Sequence, residues 1–223
     1  MLEVQSLSKA YGKKQVLDSL SFSVKPGEII GLVGENGAGK SSLLQILASL
    51  SRPTSGTITL NNQSYKTELK KVRRQIGFAP QDVALWEEFT VAENMVFFEK
   101  LAWNRLNKDQ LRQLCSEMKL DKWDDPVNTL SGGMKRKLNI AISLIHEPNL
   151  LLLDEPTAGI DLKSRKEIGA YLNNLAKSDG KMILYTSHDM DEIRQLCDKI
   201  YCIGNDPFYY QVLKAYGENP ISL

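Results

Sequence analysis

Gly34-Glu35-Asn36-Gly37-Ala38-Gly39-Lys40-Ser41 is the strongest chemical signal in the chain. It fits the spacing GxxxxGK followed by Ser or Thr. Glycines let the backbone curl until successive N–H groups converge on one anion. The helix that the sequence predicts from Lys40 adds the positive end of its dipole. Lys40 would reach the outer phosphates of a nucleotide as a point charge, and the Ser41 hydroxyl would ligate Mg²⁺. The plainer alternative is a glycine-rich turn with no ligand. An apolar strand pattern before the loop and a helical pattern after it weigh against that.

The second signal is Leu150-Leu151-Leu152-Leu153-Asp154-Glu155, two carboxylates at the end of an apolar run of strand length. In an open α/β sheet, ligands gather at the carboxyl ends of the strands. One carboxylate there can hold Mg²⁺ and the next can orient a water against the terminal phosphate, since phosphoryl transfer is mostly positioning and electrostatics. On this reading Asp154 takes the metal and Glu155 the water. The bland alternative is that Glu155 caps the Pro156-Thr157 turn. The third signal is Leu130-Ser131-Gly132-Gly133-Met134, ahead of a helical pattern. Ser131 is a sound N-cap, and the two glycines expose N–H groups at the positive helix end. One chain has no obvious need for two anion sites. A head-to-tail dimer has one, if each copy presses this helix end onto the phosphate held by the other.

With these three motifs in place, the chain resembles the ATP-binding subunits of ABC transporters over nearly its whole length. The resemblance implies ATP and Mg²⁺ as cofactors and assigns further residues. Tyr11 stands where the family stacks an aromatic ring on adenine. Gly34, Glu35, Asn36, Gly37, Ala38, Gly39, Lys40, Ser41 and Ser42 would hold the phosphates. Gln81, after Phe78-Ala79-Pro80, matches a glutamine that touches Mg²⁺ and senses the membrane partner. Ser131, Gly132, Gly133 and Asp161 would act in trans, across a dimer interface. His188, in Thr186-Ser187-His188-Asp189, matches the switch histidine on the terminal phosphate. Glu155, His188 and Lys40 would be the catalytic set, and Ser41, Gln81 and Asp154 the metal set. Met134 stands where the family most often has glutamine, and Ile160 where it has leucine. Gly133-Met134-Lys135-Arg136-Lys137-Leu138 and Glu155-Pro156-Thr157-Ala158-Gly159-Ile160-Asp161 resemble exporter subunits of the drug and antibiotic efflux type. There the membrane part is a separate polypeptide, and the ATPase sits peripherally on the cytoplasmic face of the cell membrane as a homodimer or heterodimer.

The elements that must position these motifs are legible in outline. Short strands fill the first quarter, at Leu2 to Ser6 and as one or two strands across Val16 to Val24. Strands are also predicted over Glu28 to Val33, Thr57 to Leu60, Ile76 to Ala79, Leu150 to Leu153, Lys181 to Thr186 and Ile200 to Ile203. Helices are predicted over Lys40 to Leu50, Leu69 to Arg74, Val91 to Leu101, Lys108 to Met118, from Ser131 onward, Lys163 to Lys177 and Met190 to Cys197. Alternation of strand and helix implies an α/β fold with a mostly parallel sheet covered on both faces. Strand signals vanish from Gln81 to about Asp125, so a helical subdomain is expected at approximately residues 82–145. It would be inserted in one ATPase domain spanning 1–223, with a phosphate-loop NTPase core and, by the resemblance, an N-terminal antiparallel β subdomain. Its aromatics, Trp86, Phe89, Phe97, Phe98 and Trp103, are expected mostly to pack the insertion's own core. Trp86 or Phe89 would line a groove for the membrane subunit. No reading is offered beyond Ile203.

Composition narrows the alternatives. A chain of 223 residues with 42% hydrophobic and 25% charged residues is an ordinary globular one. A net charge of +1 supplies no field for nucleic acid, so none is expected as a partner. Three cysteines without a CxxC pair favour neither a disulfide framework nor zinc. No apolar run approaches a membrane span and no signal segment is visible, so any membrane role would pass through a partner. Two competitors remain. A soluble, non-transport ABC ATPase acting on ribosomes or DNA usually carries two cassettes or a long coiled coil. A metabolic phosphate-loop kinase leaves Leu130 to Gly133 unexplained.

Overall fold

Strands β3 (Ile29–Val33), β7 (Leu150–Leu153) and β8 (Met182–Thr186) are buried at every residue, as strands covered on both faces must be. The computed structural model describes residues 1–82, 84–204 and 206–223. With β6 (Ile76–Ala79), β9 (Lys199–Cys202) and β10 (Ile221–Ser222), these strands form a six-stranded sheet in the order β10-β9-β3-β8-β7-β6. Every pairing in it is parallel.

Period-two alternation splits each strand between two cores. Leu150, Leu152, Ile30, Leu32 and Leu184 face one core, shared with helix α1 (Lys40–Leu47) and an antiparallel sheet. Leu151, Leu153, Ile29, Val33, Ile183 and Tyr185 face the other, shared with the remaining long helices. The antiparallel sheet runs β2-β1-β4-β5, from β1 (Leu2–Tyr11), β2 (Lys14–Val24), β4 (Ser55–Leu60) and β5 (Gln63–Ser64). Here the strands outrun the sequence expectation. β1 continues from Ser6 to Tyr11, and Lys14–Val24 is a single strand, because register shifts interrupt the alternation without ending the pairing. Ser6 (φ 48°) and Ser19 (φ 52°) take left-handed backbone along these strands.

Helix α2 (Leu69–Arg73) precedes β6. Between β6 and β7 lie α3 (Val91–Leu101), α4 (Lys108–Glu117) and α5 (Gly132–Leu144), which pack on one another, while α5 also packs on β6. Both α3 and α4 begin with a reciprocal capping box, Thr90 with Glu93 and Asn107 with Gln110. Their buried residues Met95, Leu111 and Cys115 belong to the same core as Leu151 and Ile183. The aromatics are less buried than the expectation that most of them pack the insertion's own core. Trp86, Phe89 and Trp103 are 51%, 42% and 52% exposed. Trp86 stacks on Phe89 and meets Phe97 edge-on instead of entering the core. The buried indole of this region is Trp123.

Helices α6 (Leu162–Lys177) and α7 (Met190–Leu196) connect β7 to β8 and β8 to β9. Beyond Ile203, α8 (Phe208–Ala215) leads into the edge strand β10. Arg194 of α7 anchors this tail, through Glu218 at 3.2 Å and over the ring of Tyr216.

Candidate active site

The parallel order places the carboxyl ends of β3, β8, β7 and β6 side by side. The phosphate-loop sequence follows β3, His188 follows β8, Asp154 and Glu155 follow β7, and Gln81 follows β6. A cleft of about 520 Å³ opens there, lined by Val16, Asn36, Gly37, Gly39, Lys40, Ser41, Ser42, Gln81, Glu155 and His188.

Gly39 shows why the loop needs glycine. Its φ is +103°, and a Cβ there would stand 2.6 Å from Leu17 Cδ2 and 3.0 Å from the Val16 carbonyl oxygen. The loop therefore presses its backbone against β2 and turns directly into α1. Lys40, at the start of α1, is only 7% exposed. Its ammonium donates to the carbonyls of Gly34 (2.7 Å) and Glu35 (3.0 Å). Burial pulls its pKa below the ordinary lysine value, and the carboxylates of Glu155, Asp154 and Glu35 oppose that pull. A partly desolvated cation facing an open polar cleft is suited to a phosphate.

Glu155 carries an unusual backbone, with φ at +48° in a residue other than glycine. Thr186 holds it there. The Thr186 hydroxyl accepts from the Glu155 N–H at 2.8 Å and donates to Asp154 Oδ1 at 2.9 Å. One buried hydroxyl thus positions both members of the acidic pair. The Glu155 carboxylate then meets Gln81 Nε2 at 3.1 Å and His188 Nε2 at 2.9 Å. Arg136 of α5 donates to the Gln81 carbonyl, which fixes that residue's backbone from the helical side.

Ser41, Gln81 and Asp154 offer oxygen donors of the kind a hard divalent cation takes. Among the described residues, no group of three or more His, Cys, Asp and Glu could hold a metal by itself.

Other candidates stand outside the cleft lining. Tyr11 is 49% exposed at the end of β1, with Lys9 Nζ 4.7 Å from its ring centroid. The Ser42 hydroxyl is the largest influence lowering its pKa. Ser131, Gly132, Gly133 and Asp161 form a separate group. Ser131 Oγ caps α5 by accepting from Met134 N at 3.3 Å, so the N–H groups of Gly132 and Gly133 keep no partner inside the helix. Gly133 lies against α6, where a Cβ would meet Ser164 Oγ at 2.3 Å. Asp161 caps α6 through Ser164 N (2.9 Å) and Ser164 Oγ (2.7 Å), and those bonds lower its pKa.

Several residues that shape the site escaped the sequence reading. Thr186 closes an otherwise apolar strand, which is a usable sign of a role. Val16, Thr157, Ser187 and Glu192 carried none.

A family model described as ABC transporter matches residues 17–158. A linearmycin resistance ATP-binding protein of Bacillus subtilis is 39% identical over 205 residues, covering 90% of this chain and 65% of its own length. A Nod factor export ATP-binding protein I of Ralstonia nicotianae is 40% identical over 209 residues, covering 92% and 64%. The chain therefore spans slightly less than two thirds of these two relatives. A dimeric ATP-binding cassette in a post-hydrolysis state, bound to ADP and Pi, superposes with a TM-score of 0.81. It is 27% identical and covers 91% of this chain and 94% of its own.

Proposed function

The chain belongs to the ABC transporter family as one of its ATPase cassettes, and we propose that it hydrolyses Mg·ATP between two cassettes to drive a separate membrane subunit, in the direction of export. The observation that carries this reading is the Glu155 carboxylate. It meets Gln81 Nε2 and His188 Nε2 in a cleft that Lys40 and Ser41 also line.

In this proposal Tyr11 receives the adenine, and the backbone of residues 34–42 cradles the phosphates. Ser41, Gln81 and Asp154 hold the ion. When bound, the ion supplies positive charge against the negative charge that grows on the phosphate oxygens. Lys40 adds a second positive charge from within the protein. Glu155 orients the attacking water and accepts its proton, and His188 donates to the terminal phosphate. Ser131, Gly132, Gly133 and Asp161 stand away from this cleft, which supports their use by a second cassette. That partner is a second copy of the chain or a relative. The helical region at approximately 82–145 is then a subdomain that carries this second anion site into contact.

Export is the direction in the name of the Nod factor relative, and the cargo would be chosen by the membrane subunit. Among the described residues no helix is long and apolar enough to cross a membrane. A docking socket is supported by the exposed stack of Trp86 and Phe89. Asn94, fully buried, pins that loop by accepting from Trp86 N and donating to the carbonyls of Trp86 and Thr90. A preordered, exposed aromatic patch suits a short helix from a partner.

Affinity purification of the tagged chain from detergent-solubilised membranes of its source tests this. A polytopic membrane protein should be recovered in fixed ratio. Replacing Trp86 and Phe89 together by Ala should lower that recovery by about tenfold or more, as loss of interface anchors does, with ATP affinity unchanged. Recovery of ribosomes or DNA with no membrane protein would overturn the transport reading.

A further inference from the structure

We propose that Glu192 is a positioning residue for ATP hydrolysis, its carboxylate fixing where Glu155 and His188 stand by holding Thr157 and Ser187 on a single oxygen. The inference rests on the reading of Glu155 as the group that activates water.

Glu192 lies on α7 and does not line the nucleotide cleft. Its Oε2 accepts from Thr157 Oγ1 at 2.8 Å and from Ser187 Oγ at 2.8 Å. Thr157 is two residues after Glu155, and Ser187 immediately precedes His188. One oxygen therefore joins the loop after β7 to the loop after β8, behind the two side chains that meet at 2.9 Å in the cleft. Thr157 and Ser187 are buried, so these bonds are shielded from water.

The proton order of this network follows from its members. A carboxylate only accepts, so Thr157 spends its one hydroxyl proton on Glu192. The 2.9 Å contact between Thr157 Oγ1 and Tyr185 Oη then has tyrosine as donor. Burial first, and the charge of Glu192 second, push the Tyr185 phenol far up and keep it a donor. Ser187 Oγ in turn accepts from Asp189 N at 3.1 Å. Asp189 caps α7 through the N–H groups of Asp191 and Glu192 and pairs with Arg165 of α6. The carboxylate of Glu192 is thus aimed by its own helix cap and collects donors from both catalytic loops. Thr186 already fixes the backbone of Glu155. What Glu192 adds is the spacing between that loop and His188.

The test is steady-state ATP hydrolysis by the full chain with Glu192→Ala, Glu192→Gln and Thr157→Val, together with ATP binding by each. Displacing a catalytic group by about an ångström costs on the order of 100-fold. Glu192→Ala should accordingly lower kcat by about 10- to 100-fold with the KM for ATP unchanged. The amide oxygen of Glu192→Gln can still accept both hydroxyls, so this variant should return to within about threefold of the unchanged chain. Thr157→Val keeps the volume and removes one donor, and should show the same kcat-selective loss. It also carries the test should Glu192→Ala not fold. Wild-type kcat in both Glu192→Ala and Thr157→Val overturns the inference, as does a loss that appears in KM instead of kcat. Glu192→Gln as impaired as Glu192→Ala also overturns it, because charge and not position would then be at work. An unchanged chain that binds ATP and does not hydrolyse it would instead remove the reading of Glu155.

Discussion

Glu155→Gln will bind ATP as tightly as the unchanged chain and fail to turn it over. The substitution keeps the shape of the side chain and alters only what its oxygen and nitrogen can do. Folding of the loop does not depend on the carboxylate, because Thr186 holds Glu155 through its backbone N–H. An amide can still accept from Gln81 or His188 with its one oxygen. It cannot take a proton from water at neutral pH. General-base catalysis contributes about 10²- to 10⁴-fold, so kcat should fall by about 10³-fold, equivalent to about 4 kcal/mol of barrier. Phosphate release measured under saturating ATP checks this. Hydrolysis within about tenfold of the unchanged chain would withdraw Glu155 from the reaction.

Lys40→Ala should act on binding instead. In the ground structure Lys40 spends its donors on the carbonyls of Gly34 and Glu35, a costly arrangement for a cation kept 7% exposed. Its position becomes reasonable if phosphate oxygens replace or join those carbonyls. A hydrogen bond to a charged group is worth about 1.5–3 kcal/mol net, and the lost Coulomb attraction in a partly desolvated site adds to it. The Kd for ATP should therefore rise by about 100-fold, as read by calorimetric titration with Mg²⁺ present. An unchanged Kd would mean that residues 34–41 form a turn without a ligand.

The parts of this site that sequence revealed are those built from short, contiguous patterns. Leu150 to Leu153 and Val91 to Leu101 match their elements end to end. A wholly apolar tetrad before two carboxylates has few other uses. The phosphate loop was legible for the same reason, since its glycines and Lys40 are adjacent. The network behind the site was not. Thr157, Tyr185, Ser187 and Glu192 converge across two loops, a strand and a helix, and a hydroxyl or carboxylate in isolation gives no sign of its partner. The first two strands blurred because shifts of register at Ser6 and Ser19 break the alternation by which strands are recognised. Most of the aromatics near Trp86 read as core because bulky apolar side chains signal a core by default, while Trp86 or Phe89 read as lining a groove. Here they stack on one another at the surface, over a loop pinned by Asn94. Ser131 to Gly133 and Asp161 are legible as an anion site and a cap, and a role across an interface needs the second molecule.

Sedimentation velocity of Glu155→Gln, with and without Mg·ATP, tests the central claim most directly, because hydrolysis can no longer disperse an ATP-bound pair. Where the partner is a second copy, the account predicts a species of one chain, 25.1 kDa, without nucleotide and of twice that mass with it. It further predicts that adding Ser131→Arg, which would place a bulky side chain at the second anion site, returns the ATP-bound sample to one chain. A sample saturated with ATP that still sediments at 25.1 kDa would contradict ATP-driven pairing of this chain with itself.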